Sequence, residues 1–238
     1  MLNLWHHNVT LMKNLQKLLA LAAVLVGVVS TASADTLVLS QDLTNYSVGN
    51  GGAFIISSFT GPLSLASYDA KAKGDGGFLT FCIEENEYFN PGYTYNYSLS
   101  FGAKNGGVSG QTSTNYDGVS NATAWLYSQF AMGSLSSGGF SYTHANLGDL
   151  QQAIWFLEGE GGTNNYLVAA AQAHEGVNWN KDNNGAYGVY AVNINYLNGG
   201  NSQDQLYFKR VPEGGLTVLM LGGALLGLFG LRRKFGRN

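Results

Sequence analysis

Asn121-Ala122-Thr123-Ala124-Trp125-Leu126-Tyr127-Ser128-Gln129-Phe130-Ala131-Met132 is where this chain changes its period. Ala122, Trp125, Leu126 and Phe130 recur at helical spacing, and Ser120 or Asn121 can serve as an N-cap. Downstream, Leu150, Ala153, Ile154 and Leu157 repeat the pattern behind Asp149 as a cap, with Gly159 and Gly161 as stops. Residues 166–173 predict a third, alanine-rich helix. Upstream, apolar residues alternate or cluster in short runs at 36–39, 53–59 and 63–68, punctuated by Gly49-Asn50-Gly51-Gly52 and Gly61-Pro62. Residues 77–84 and 93–99 read as stronger strands, joined by a turn at Asn90-Pro91-Gly92, and 102–120 as a long surface loop. Residues 189–197 and 205–209 alternate again as closing strands. The pattern predicts an α+β fold, a β-sandwich- or barrel-like core carrying a compact helical insertion.

Both ends of the chain read as addresses. Residues 1–34 form a secretory signal peptide: Met12 to Lys17 is a basic start, 18–29 an apolar core, and Ala32-Ser33-Ala34 a small-x-small cleavage site before Asp35. Met12 suits the start of such a peptide better than Met1. The apolar core is too short for an ordinary membrane span. At the other end, Val211-Pro212-Glu213-Gly214-Gly215 precedes an apolar run over 216–231 and a basic cluster, Arg232, Arg233 and Lys234. The run would reach about 24 Å as a helix, short of the roughly 30 Å hydrocarbon core, and its glycines weaken it further. The positive cluster would stay on the cytoplasmic side, leaving the body on the other.

This tail resembles the bacterial PEP-CTERM sorting signal, and more closely its VPDSG-like variant, with Val211, Pro212, Glu213 and Gly215 on the motif and Gly214 departing from it. The resemblance implies cleavage near the motif by an exosortase-type membrane enzyme after signal peptidase has acted. It also implies a transient hold on the inner membrane by one transmembrane helix, followed by release to the cell surface or to the extracellular polysaccharide of a biofilm.

Between these segments, residues 35–210 form one body. Of the chain's 15 acids only Glu213 lies outside it, against half of the 12 bases, so the body carries a net charge near −8. An acidic body gains nothing by displacing counterions from nucleic acid, which excludes that class of partner. Its many Gly, Asn, Ser and Tyr residues suit contact with carbohydrate or a polymer matrix. Cys82 is the single cysteine, so an internal disulfide is excluded and the thiol is left for intermolecular pairing, inert burial or chemistry.

Two fragments stand out together: Phe81-Cys82-Ile83-Glu84 in a predicted strand, and Leu150-Gln151-Gln152-Ala153-Ile154-Trp155 near a predicted helix start. They resemble the signature of the bacterial thioester domains of surface adhesins, an aromatic-Cys strand coupled to a later Gln-x-Ala-Ile-Trp helix. Leu150 replaces the family's usual threonine. The resemblance implies that Cys82 supplies the thiol and Gln151 the amide of an internal thioester, and that the domain binds a surface amine covalently. Attack by the thiolate would release ammonia, and no cofactor is needed. A helix N-terminus could favour the thiolate, and Phe81, Tyr88, Phe89 and Trp155 could keep the site dry. Trp155 follows Gln151 by one turn and shares its face. The competing reading is an inert core, because free cysteine is often simply buried.

Other constellations are weaker. Glu84, Glu85 and Glu87 read as solvated residues along a strand and its exit, not as a glycosidase pair, and Glu158 and Glu160 as a solvated helix end. His144 and His174 lack metal-ligand spacing, Gly74 to Gly77 lacks a phosphate-binding context, and there is no serine nucleophile elbow. The sequence therefore points away from an enzyme and towards a surface or matrix protein, either a thioester adhesin or a non-covalent structural protein with the same tail.

Overall fold

A computed structural model describes residues 34–49, 51–64, 77–104 and 116–209. Apart from Ala34, the predicted signal peptide with its cleavage site, and the sorting tail with Val211 to Gly215 and Arg232 to Lys234, lie outside these residues. Among the described residues no helix is long and apolar enough to cross a membrane.

Among the described residues, eight strands and three α-helices make a mixed fold: β1 (Thr36–Ser40), β2 (Phe54–Ser57), β3 (Phe78–Thr80), β4 (Tyr93–Ser100), β5 (Gly102–Lys104), β6 (Tyr116–Gly118), α1 (Asn121–Ala131), α2 (His144–Glu158), α3 (Tyr166–Glu175), β7 (Val189–Tyr196) and β8 (Gln205–Phe208). Six strands form one antiparallel sheet in the order β3-β2-β1-β4-β7-β8. The sheet curls until its edges nearly meet. Leu206 N–H donates to Phe81 O at 3.0 Å, Ile83 N–H to Asp204 O at 3.1 Å and Thr80 Oγ1 to Leu206 O at 2.6 Å. Cys82 faces Gln205 across that seam as an isolated bridge. The result is a nearly closed, barrel-like sheet, with β5, β6 and all three helices inserted between β4 and β7.

Strand alternation sorts the core into two clusters, because successive side chains leave opposite faces of a sheet. Leu37, Leu39, Phe54, Ile56, Phe78, Cys82, Tyr95, Tyr97, Val192, Ile194 and Tyr207 share one cluster, which Trp155 joins. Ile55, Leu79, Phe81, Ile83, Val189, Ala191, Leu206 and Phe208 pack in the other, against Leu126, Phe130, Leu150, Ile154, Leu157 and Val168 of the helices. The helices thus cover the outer face that these residues would otherwise expose.

Local chemistry sets the helix ends. Ser120 accepts from Thr123 N–H at 3.2 Å and starts α1. Asn165 accepts from Leu167 N–H at 2.9 Å and starts α3. Gly159 takes φ 78°, a left-handed conformation that ends α2 without a Cβ penalty. The start of α2 differs from expectation. Thr143, not Asp149, is its N-cap, and Asp149 lies within the helix. The apolar pattern was visible only from Leu150 because His144 to Asp149 contribute one buried apolar side chain, Leu147.

Two further differences concern loops. The expected loop over 102–120 contains the β5–β6 ladder, in which Ala103 pairs Asp117. Leu63 and Ser64, expected to open a strand, are irregular, and the rest of that segment lies outside the described residues.

Candidate functional site

Strand β3 ends at Thr80, and the chain continues along the seam through Phe81 and Cys82. Helix α2 crosses the same seam, and Gln151 and Trp155, one turn apart, both leave it towards Cys82. The Gln151 amide pairs with the Cys82 backbone at both ends. Its Oε1 accepts Cys82 N–H at 3.0 Å, and its Nε2 donates to Cys82 O at 2.9 Å. A second donor reaches the same oxygen: Gly52 N–H lies 3.1 Å from Gln151 Oε1. Flipping the amide would set NH2 against two N–H donors, so the hydrogen-bond pattern fixes its orientation.

Gly51 and Gly52, expected only to mark a turn, are what lets the loop come this close. A Cβ on Gly51 would sit 2.9 Å from Gln151 Cγ and 3.1 Å from a Trp155 ring carbon. One on Gly52 would sit 2.9 Å from Gln151 Oε1 and 3.1 Å from Thr80 O. Those distances are shorter than van der Waals contact, so the amide can be seated this way only beside glycine.

Cys82 is fully buried. Burial pushes its thiol well above the ordinary cysteine range, and the Gln205 side chain and the N–H groups of Cys82 and Gly52 pull it back only in part. The negative field of Glu84 adds to the rise. The start of α2 gives no help, because Gln151 is the eighth residue of that helix, about 10 Å along the axis from its start. The expected assistance from a helix N-terminus does not come from the helix that carries Gln151.

The aromatic surroundings also differ from expectation. Trp155 packs in the Cys82 cluster, and its indole nitrogen is buried with no hydrogen-bond partner. Phe81 does not share that space. One residue from Cys82, it leaves the opposite face and packs edge-on against Tyr127 and Phe130. Phe89 packs against Phe54 at 4.7 Å in the Cys82 cluster, whereas Tyr88 is 67% exposed and shields nothing. Gln41, Phe54, Tyr88, Phe89, Pro91 and Gln203 line a shallow cleft.

The acidic residues give the clearest correction. Glu85 is exposed, but Glu84, Glu158 and Glu160 are buried, at 1, 8 and 2% exposure. Strand alternation for Glu84, and a helix end for Glu158 and Glu160, suggested solvated positions because the packing that covers them is tertiary. Burial, the neighbouring Glu87 carboxyl and the charges of Asp204 and Glu160 raise the Glu84 carboxyl to about 10. Asp204, which escaped the sequence reading, accepts from Lys104 N–H, Asn193 Nδ2 and Ile194 N–H at 2.7, 2.8 and 2.9 Å, yet burial still lifts it to about 7. Among the described residues no three His, Cys, Asp or Glu side chains converge to hold a metal ion. His144 Nε2 lies 2.8 Å from Ser47 O, and His174 stacks on Trp125.

No protein-family model, curated protein or solved structure matches this chain.

Proposed function

We propose that this chain is an exported bacterial surface or matrix protein, sorted by an exosortase-type system, whose body forms an internal thioester between Cys82 and Gln151 for covalent attachment to surface amines. The observation that carries the reading is the Gln151 amide held against Cys82 from both ends, at 3.0 and 2.9 Å. This pairing sets the main chain of the single cysteine against a buried primary amide, at a site lined by Trp155. The acidic, amide-rich body and the two terminal segments support deployment outside the cell, with polysaccharide as a matrix contact.

The reaction needs no cofactor. Sγ of Cys82 bonds to Cδ of Gln151, the Cδ–Nε2 bond breaks, and the thiol proton leaves with the nitrogen as ammonia. An incoming primary amine then replaces sulfur, restores the thiol and leaves a substituted amide on residue 151. The intact mass of the mature body tests this. It should be lighter by one ammonia, and methylamine should open the bond and add itself. An unchanged mass, together with a Cys82 thiol that titrates once the protein is unfolded, would remove the covalent mechanism.

A second reading is a non-covalent matrix protein with an inert cysteine. The burial of Cys82 and its raised thiol favour it, since the thiolate is the nucleophile. The two readings share the tail and differ in the mass measurement. Deleting 216–238 tests sorting separately: fractionation should shift from membrane to medium, and an unchanged distribution would count against it.

A further inference from the structure

We infer that the backbone N–H groups of Gly52 and Cys82 form an oxyanion hole at the Gln151 side-chain carbonyl, with Gly52 as a positioning residue for acyl transfer to the Cys82 sulfur. The inference rests on the thioester reading and adds to it the group that makes the amide electrophilic. A primary amide is a poor acyl donor, because nitrogen lone-pair donation strengthens the C–N bond and quenches the carbonyl carbon. Pairing the oxygen with fixed donors in a dry site offsets that resonance as charge develops on oxygen.

The geometry has the needed parts. Two backbone donors, from segments 30 residues apart in the chain, converge on one oxygen at 3.1 and 3.0 Å. One of the two donors is the N–H of the nucleophile's own residue, so the carbonyl oxygen is tied directly to Cys82. The third bond, Nε2 to Cys82 O at 2.9 Å, holds the leaving nitrogen on the opposite side of the amide. When sulfur adds to Cδ, the negative charge formed on Oε1 falls between Gly52 N–H and Cys82 N–H. When Nε2 departs as ammonia, carrying the thiol proton, the carbonyl reforms in the same cradle. The thioester oxygen then stays polarised, so the donors that help to make the bond also help an amine to open it.

Gly52→Ala is the selective variant. It keeps the N–H, while its Cβ would press on Gln151 Oε1 and, less closely, on the backbone at Thr80 O and Phe54 N, moving the carbonyl oxygen out of its cradle. The rate of ammonia loss, followed by intact mass in pulse-labelled full-length protein, should fall about 100-fold. A second readout is independent of bond formation. In Cys82→Ala, the 13C resonance of the Gln151 side-chain carbonyl should lie downfield of exposed glutamines, and adding Gly52→Ala should move it back. Ammonia loss at the same rate in Gly52→Ala and the unaltered protein overturns the oxyanion hole and leaves the thioester standing. No ammonia loss in the unaltered protein overturns the thioester reading and this inference with it. Should Gly52→Ala fail to fold, the carbonyl resonance in Cys82→Ala decides, and an unshifted resonance overturns the proposal.

Discussion

Gln151 is held by the main chain of Cys82: one side-chain amide makes both hydrogen bonds of a strand partner, at 3.0 and 2.9 Å, in a site 1% exposed. A helix residue thereby completes a sheet edge that the barrel leaves short of a neighbour. That role exists before any covalent chemistry, and it separates the stability of the site from its reactivity.

Replacing Gln151 should destabilise the body even where no thioester can form. In a Cys82→Ala background, Gln151→Ala strips two buried N–H donors and one carbonyl of their partner. An unsatisfied buried group costs about 1–3 kcal/mol, and water entering the vacated space offsets part of the sum. A net loss of about 3 kcal/mol is expected in denaturant unfolding. A change below about 0.5 kcal/mol would mean that these bonds are not made in solution.

Gly51→Ala should cost about 1–3 kcal/mol, as overpacking of a filled core does, because its Cβ would press on Gln151 Cγ and Trp155. Gly200→Ala is the matched control: its nearest neighbour lies 3.5 Å away, at ordinary contact. Thermal midpoints of the two variants should separate clearly.

Ser120 does two jobs, capping α1 through Thr123 N–H and donating its hydroxyl to Glu158 at 2.7 Å. Ser120→Ala should lose about 1–2 kcal/mol from the cap alone. It should also raise the Glu158 carboxyl above its present value of about 7, since a bond that favours the charged form is gone. Carboxyl 13C titration and chemical unfolding check the two effects separately.

Stability should fall as the solution becomes more alkaline. Asp117, Glu158 and Asp204 are raised by burial to about 6, 7 and 7, and Glu84 to about 10. Each binds its proton more tightly folded than unfolded, so the folded state holds the excess protons. The contribution is fully present below the unfolded carboxyl range near 4. It is lost progressively up to about pH 7 for the first three groups and on to about pH 10 for Glu84. Melting temperatures at pH 5, 7 and 9 should descend in that order, and Glu84→Gln should flatten the last interval. A rising series would contradict the buried, protonated Glu84.

Much of the fold was legible along the chain. The three helices, the strands from β1 to β8 other than the β5–β6 ladder, and the Gly159 stop follow from period and end chemistry, which are local. The start of α2 was misplaced because its first turn packs little apolar surface and Thr143 supplies the cap. The buried acids were misread for a related reason. Glu84 and Glu160 stand in polar, strand-end or helix-end contexts, and nothing within a few residues tells that a sheet edge will fold over them.

By itself, the sequence determined the elements, the alternation that splits the core into two clusters, and the residue types brought to the site: one thiol, one helix glutamine, a glycine pair and a tryptophan a turn beyond the glutamine. The resemblance coupled Cys82 with Gln151, but only the tertiary structure decided how they meet and that the glycine pair joins them. Gly52, Cys82 and Gln151 come from a loop, a sheet edge and a helix, and they converge because the curled sheet leaves an open seam between β3 and β8. An unpaired buried backbone N–H or carbonyl is costly, so the seam draws in the nearest side chain able to donate and accept at once. Periodicity records which face a residue takes; it carries no information about which distant backbone will be left without a partner.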